Sequence, residues 1–275
     1  MDRITAQGMN MPKLGLGTFR LKGPECAEAV QRALTLGYRH IDTAEMYDNE
    51  AAVGEGLAHG GTKRADIHLT TKVWWSNLAG DGIDRAIDAS LHKLRTDYVD
   101  LYLIHWPAAD MDLPDAITKL MRVKERGLAR AIGVSNFPSA LFDCAVNEVK
   151  APLACNQFEY HVLLGQSRMV KTTRAAGAAV TAYAPLAQGR LADNEALKTL
   201  AKKHDAAPAQ IALKWLLDQD GVAAIPKAGR KESQQSNLDA LKITLDEQDR
   251  ATIAALPKDQ RFVNPAFAPH WDEVG

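Results

Sequence analysis

The sequence predicts an α/β fold of the (β/α)8 TIM-barrel type, and three observations carry that reading. Short β-rich runs alternate with amphipathic helical patterns along almost the whole chain. The strand runs are continuously apolar rather than alternating, as parallel strands covered by helices require. Eight such strand–helix units fit the 275 residues, a usual length for this architecture.

The strand candidates in order are "KLGLGT", "YRHIDTA", "DIHLTTKVW", "VDLYLIHW", "LARAIGVSN", "LACNQFEY", "AAVTAYAPL" and "VAAIPK". A β-hairpin is expected ahead of them. Between them lie helical patterns such as 24–37, 82–94 and 114–127, several opened by proline or aspartate and closed by glycine, as capping chemistry favours. Extra helices are expected around the last strand, with "NEALKTLAKKHD" and "PAQIALKWLLDQD" preceding it. No low-complexity linker interrupts the pattern, so residues 1–275 read as one domain. A doubly wound sheet is the competing architecture, but Gly15 and Gly17 lack a third glycine in register, and Gly54 and Gly56 lie inside a helical pattern.

A formal net charge of -1 without long blocks of like charge excludes an electrostatic footprint for nucleic acid or anionic membrane. No run approaches the length of a membrane-spanning helix, and "MDRITAQGMN" lacks the apolar centre of a signal peptide. Cys26, Cys144 and Cys155 are widely spaced and odd in number, which reads as free thiols of a cytoplasmic protein. His59, His68, His92 and His204 show no ligand spacing, so no metal site is expected. The expected partner is a small molecule, and the chain is expected to act as a monomer.

Chemistry in such a barrel sits where strands end at the carboxyl face. Those positions hold Asp42, Lys72, His105, Asn136 and Gln157, with Tyr47 in the loop after the second barrel strand. A lysine at the end of an apolar strand is costly unless paired, and Asp42 is the obvious partner. A neighbouring ammonium would lower the Tyr47 pKa and let the phenol exchange a proton near neutrality, while His105 could bond the same substrate oxygen. Asp48 and Asn49, just after Tyr47, read as a helix start.

The motifs "GYRHIDTAEMYDNE", "TTKVW", "DLYLIHWP", "IGVSNF", "NQFEY" and "IPKAGR" cover nearly the whole chain, and in their order the sequence resembles the aldo-keto reductases. The resemblance implies a catalytic tetrad of Asp42, Tyr47, Lys72 and His105, and NADPH bound across the barrel mouth, with NADH as a possible second cofactor. The activity implied is reduction of an aldehyde or ketone in small carbonyl compounds, such as α-dicarbonyls, keto-sugars and keto-acids. By the same carry-over Ser135, Asn136 and Gln157 hold the nicotinamide carboxamide and Tyr183 stacks on its ring. Leu186, Gln188 and Gly189 follow the pyrophosphate, and Asn237 reaches the adenine. Thr18, Asp42, Pro185 and Ile225 complete the cofactor set. Around the 2′-phosphate the chain departs from the family pattern. Lys227 is present, but Ala228 stands at the hydroxyl position and Ser233 where an arginine is expected, leaving Arg230 and Lys231 as the neighbouring cations. NADPH is therefore expected to be preferred, by a reduced margin.

The substrate walls implied are Phe19, Trp74, Trp106 and Trp271, with Tyr47 and His105 at the reacting end; the direction of Trp75 stays open. An aromatic slot favours small carbonyl compounds, and no arginine is placed by the sequence to pair a substrate carboxylate. Two rivals remain in view: a nicotinamide-binding member of the same fold without catalysis, against which the complete tetrad argues, and an unrelated barrel hydrolase or lyase using Asp42 and His105.

Overall fold

A hairpin of β1 (Arg3–Ala6) and β2 (Met9–Pro12) begins the computed structural model, which describes residues 2–273. It turns on Gln7 and Gly8, both with positive φ, the backbone that matches the twist of paired strands. Eight parallel strands follow: β3 (Leu16–Gly17), β4 (His40–Asp42), β5 (His68–Val73), β6 (Val99–Ile104), β7 (Ala129–Ser135), β8 (Leu153–Glu159), β9 (Ala179–Tyr183) and β10 (Val222–Ala224). Each pairs with its neighbour in sequence.

The sheet curls until its edges meet. Leu14 bridges Ala224 and Gly17 bridges Lys227, with Gly15 N donating to Ala224 O at 2.9 Å and Ala224 N to Lys13 O at 2.7 Å. The seam explains Gly17, since a Cβ there would lie 2.6 Å from the Ile225 carbonyl oxygen. It also shortens the expected "KLGLGT" strand to Leu16–Gly17.

Helices alternate with the strands as the periodicity predicts: α1 (Gly23–Leu36), α2 (Glu50–His59), α3 (Gly82–Leu94), α4 (Leu113–Glu125), α5 (Ser139–Asn147), α6 (Ser167–Ala175), α7 (Glu195–Lys203), α8 (Pro208–Leu217), α9 (Lys231–Asp239) and α10 (Glu247–Ala254). Pro24 opens α1 and Gly37 closes it in the left-handed region. Asp112 caps α4 through the Asp115 N–H, and Asn194 caps α7 through the Leu197 N–H. The extra elements α7 and α10 pack with α8 around Leu197, Leu200, Ile211 and Ile253, a core separate from the main one.

Strand alternation divides the barrel between two apolar layers. Tyr102, Ile104, Ile132 and Val134 pack outward with the helices. Leu101, Leu103, Ala131, Ala154, Ala179 and Ala223 pack instead with Ile4, Ala6, Met9 and Met11 of the hairpin, which plugs the amino end. The opposite end is left as the open mouth. After α10 a tail reaches residue 273 without helix or strand. Among the described residues no helix is long and apolar enough to cross a membrane.

Candidate active site

Lys72 is the penultimate residue of β5, and its side chain is wholly buried inside the mouth. Its ammonium donates to Asp42 Oδ1 at 2.5 Å and to Thr43 O at 2.7 Å. The second Asp42 oxygen accepts from Gln157 Nε2 at 2.8 Å, and Thr18 Oγ1 donates to the Asp42 carbonyl at 3.0 Å. Burial pulls the Lys72 pKa down while the Asp42 carboxylate opposes the shift.

Tyr47 ends a 3-10 turn, Glu45–Tyr47, that Glu45 fastens to the next loop by accepting from Trp74 N at 2.8 Å and Asn77 Nδ2 at 2.6 Å. The expected helix start is corrected in detail. Asn49 precedes α2 but does not cap it; its amide donates to Thr18 O and Leu21 O and accepts from Thr43 Oγ1 at 2.8 Å, tying the Tyr47 loop to the first barrel strand. The Tyr47 ring centroid lies 5.1 Å from Lys72 Nζ, 5.5 Å from the His105 ring and 5.0 Å from the Phe19 ring. The expected lowering of the Tyr47 pKa is overturned. Desolvation first, and then the Asp42 charge, push the phenol well above its ordinary value.

His105 follows β6 and is buried; desolvation and the Lys72 ammonium hold its pKa well below the ordinary imidazole range, so the ring is neutral. Its Nδ1 is buried without a hydrogen-bond partner among the described residues. Asn136 adopts a left-handed φ of 63°, just past a register shift between β7 and β8. Its amide donates to His105 O at 2.9 Å and Ser135 Oγ at 3.0 Å, and its Oδ1 accepts from Tyr183 Oη at 2.8 Å. Ser135, Asn136, Gln157 and Tyr183 are thus hydrogen-bonded with His105, Asp42 and Lys72, the Asn136 N–H donating to Gln157 O at 2.8 Å, while Tyr47 joins them through ring contacts.

The aromatic wall has more members than the sequence suggested. Trp74 lies 5.2 Å from His105 between ring centroids, and Trp106 is buried beside it in sequence. Phe267, which sequence reasoning missed, stands 5.6 Å from Trp74, 5.8 Å from Trp75 and 5.4 Å from Trp106, and Trp271 is 5.9 Å from Trp106. Trp75 therefore turns toward the tail. Phe19 is 44% exposed and meets the group at Tyr47. The tail is pinned where Asp272 accepts from Ser139 N at 2.9 Å and Ser139 Oγ at 2.6 Å, and where Glu159 accepts from Phe262 N and Val263 N. The Glu159-Tyr160-His161 run that begins at the last residue of β8 was the available signal for the second pin.

The remaining sequence-derived cofactor residues follow β9 and β10. Ala187, Gln188 and Gly189 all have positive φ; Pro185 is buried, Leu186 half-buried, and Gln188 and Gly189 exposed. Ile225 is buried at the seam and Lys227 exposed beside it. Ala228 is buried, Arg230 is exposed immediately before α9, Ser233 is half-buried and Asn237 buried. No hydrogen bond among the described residues links these last four to the tetrad.

Residues 13–258 match the model of the aldo/keto reductase family. The chain belongs to that family. It is 42% identical over 268 residues to methylglyoxal reductase DkgB of Escherichia coli O157:H7, covering 96% of this chain and 100% of the relative. It is 38% identical to the glyoxal reductase of Bacillus subtilis strain 168, across 97% and 95% of the two chains. A crystal structure provisionally assigned as a 2,5-diketo-D-gluconic acid reductase B superposes with a TM-score of 0.96 at 39% identity, covering 99% of this chain and 98% of that one. As an aldo/keto reductase the protein is an oxidoreductase acting on carbonyl groups.

Proposed function

We propose that this aldo/keto reductase reduces small aldehydes and ketones with NADPH, accepting NADH less well, and that α-dicarbonyls such as methylglyoxal are its first substrates. The observation that carries the reading is the convergence of Tyr47, His105 and the buried Lys72–Asp42 pair at the one open end of the barrel. Relatives named for methylglyoxal and glyoxal reduction support the substrate class.

The cofactor fits the side chains present. Asn136 Oδ1 accepts from Tyr183 Oη and keeps a second lone pair for a carboxamide N–H; the Ser135 hydroxyl, an acceptor from Asn136, has its own hydrogen to give. Gln157 donates to Asp42 and keeps its carbonyl oxygen as acceptor. Tyr183, tethered through its hydroxyl and half-buried, offers a ring face for stacking. Ala187 and Gln188 hold a backbone that costs about 1 kcal/mol or more for a side-chain-bearing residue, a strain that suits a phosphate-binding loop. Lys227 and Arg230 supply cations before α9. When bound, the reduced nicotinamide supplies the hydride.

Tyr47, with its raised pKa, is protonated at neutral pH and donates its proton to the oxygen of the reacting carbonyl. Lys72 is placed to stabilise the phenolate left behind, and Asp42 keeps Lys72 charged. An orphaned buried N–H is costlier than an orphaned lone pair, so the neutral His105 carries its proton on Nε2 and donates to the same carbonyl oxygen. The barrel works as one domain, and its free thiols suit a reducing cytoplasm. Consumption of NADPH and NADH, followed in parallel with methylglyoxal, a simple aldehyde and a keto-acid, tests the reading. No consumption with any carbonyl overturns it.

A further inference from the structure

Tyr47 sits on a turn that is moored from both sides. The turn follows β4, which lies between β3 and β5 in the sheet. Asn49 holds it toward β3 through Thr18 O and Leu21 O. Glu45, half-buried, holds it toward β5, its Oε2 accepting from Trp74 N at 2.8 Å and its Oε1 from Asn77 Nδ2 at 2.6 Å. The far mooring is firm. Asn77 N donates to Trp74 O at 3.0 Å, and Asn77 packs so closely on the start of α3 that a Cβ on Gly82 would lie 2.3 Å from its carbonyl oxygen. The Tyr47 hydroxyl has no hydrogen-bond partner among the described residues, so its ring is placed by the backbone turn and by ring contacts.

We propose that Glu45 is a positioning residue for the reduction, coupling the turn that carries Tyr47 to the Trp74 wall so that the two keep one separation across the substrate. The inference rests on the reductase reading above and adds to it a residue that selects among carbonyl compounds by size. The rings of Tyr47, His105 and Trp74 stand in series, at 5.5 and 5.2 Å between centroids. Glu45 closes that series on the backbone side, because it shares a turn with Tyr47 and bonds the main chain of Trp74. Ring contacts alone let two loops slide past each other. A carboxylate that accepts through both oxygens fixes orientation as well as distance. Misplacing a reacting group by 1 Å costs on the order of 100-fold in rate, so this separation matters to the proton transfer without Glu45 touching the substrate. A small carbonyl compound has few contacts of its own and relies on the wall to press it against Tyr47. A bulky aromatic aldehyde fills the slot and is held by its own contacts.

Propanal and benzaldehyde share an aldehyde and differ in bulk, so the change in their ratio of kcat/KM between variant and parent isolates the wall. Glu45→Ala is expected to lower kcat/KM for propanal by roughly 10- to 100-fold and for benzaldehyde by less, with the KM for NADPH unchanged. Glu45→Gln keeps an oxygen for Trp74 N, and the Asn77 amide can turn to meet it, so this variant is expected to recover most of the loss. Hydrogen exchange read by mass spectrometry is expected to show segments 45–48 and 74–77 losing protection together in Glu45→Ala and keeping it in Glu45→Gln. Thermal unfolding of both variants reports any folding loss separately. Equal losses on the two aldehydes, or a loss in Glu45→Gln as deep as in Glu45→Ala, overturn the inference. Exchange that rises at 74–77 alone does so too, since the turn would then stand without the bond. Should the unmodified protein reduce neither aldehyde, the reductase reading fails, while the exchange measurement still decides whether Glu45 couples the two segments.

Discussion

Lys72 and Asp42 meet at 2.5 Å with side chains 0% and 1% exposed, an ion pair withdrawn from water at the bottom of the mouth. Removing one partner of such a pair costs roughly 3–5 kcal/mol, because the other is left charged and buried. Lys72→Met is expected to lower both the unfolding midpoint and turnover strongly, and Asp42→Asn to cost less turnover because the ammonium and its bond to Thr43 persist. Denaturant melts beside steady-state kinetics check this. If Lys72→Met altered KM alone, the role given to Lys72 would be wrong.

Tyr47→Phe keeps the ring that packs on Phe19 and His105 and deletes the acidic proton. Turnover should fall by ~10²–10⁴, with cofactor affinity from fluorescence titration nearly unchanged. Near-normal turnover in a folded variant would take Tyr47 out of the mechanism.

Acid should weaken the fold from the histidine side first. Burial holds His40 down at about 4 and His68 and His105 well below the ordinary value of 6.5, so all three fold neutral and take up protons on unfolding. Below pH 6.5 the unfolded chain binds more protons, and stability falls as pH falls. His40 alone removes roughly 3 kcal/mol between pH 6.5 and 4. Glu50, raised by burial, works in the opposite sense by at most one proton. Unfolding free energies that stay level between about pH 7 and 5 would contradict the buried, neutral histidines.

Cofactor choice should turn on Lys227. With Ala228 and Ser233 unable to supply the missing charge, NADPH is expected to be favoured over NADH by a margin that Lys227→Gly nearly erases. One charged hydrogen bond corresponds to about a factor of ten to a hundred. Catalytic efficiencies with both cofactors measure it, and a clear NADH preference in the unmodified protein would reverse the assignment.

The barrel and the positions of Asp42, Lys72 and His105 were legible because continuous apolar runs mark parallel strands and a polar residue at such a run's end has few dull explanations. What stayed hidden depends on distance in the chain. Asn49 looks like a cap, yet its bonds go back to Thr18 and Leu21, which no local pattern encodes. The Tyr47 proton affinity follows from how completely the ring is buried and from the Asp42 charge beside it, matters of ångströms rather than sequence spacing. Phe267 lies in a tail without periodicity, so nothing in the order of residues announces that it turns inward.

That tail gives the fold a division of labour that matters for descent. The groups proposed to handle the proton belong to barrel strands or the tethered loop beside them, where a shift of one residue would break their arrangement. The opposite wall comes from the run 261–273, fastened through Glu159 and Asp272. Insertions, deletions and substitutions can accumulate in this run without disturbing the tetrad. Lineages sharing the barrel can therefore diverge in diet while keeping one chemistry, and new substrate preferences should arise sooner from the tail than from the strands.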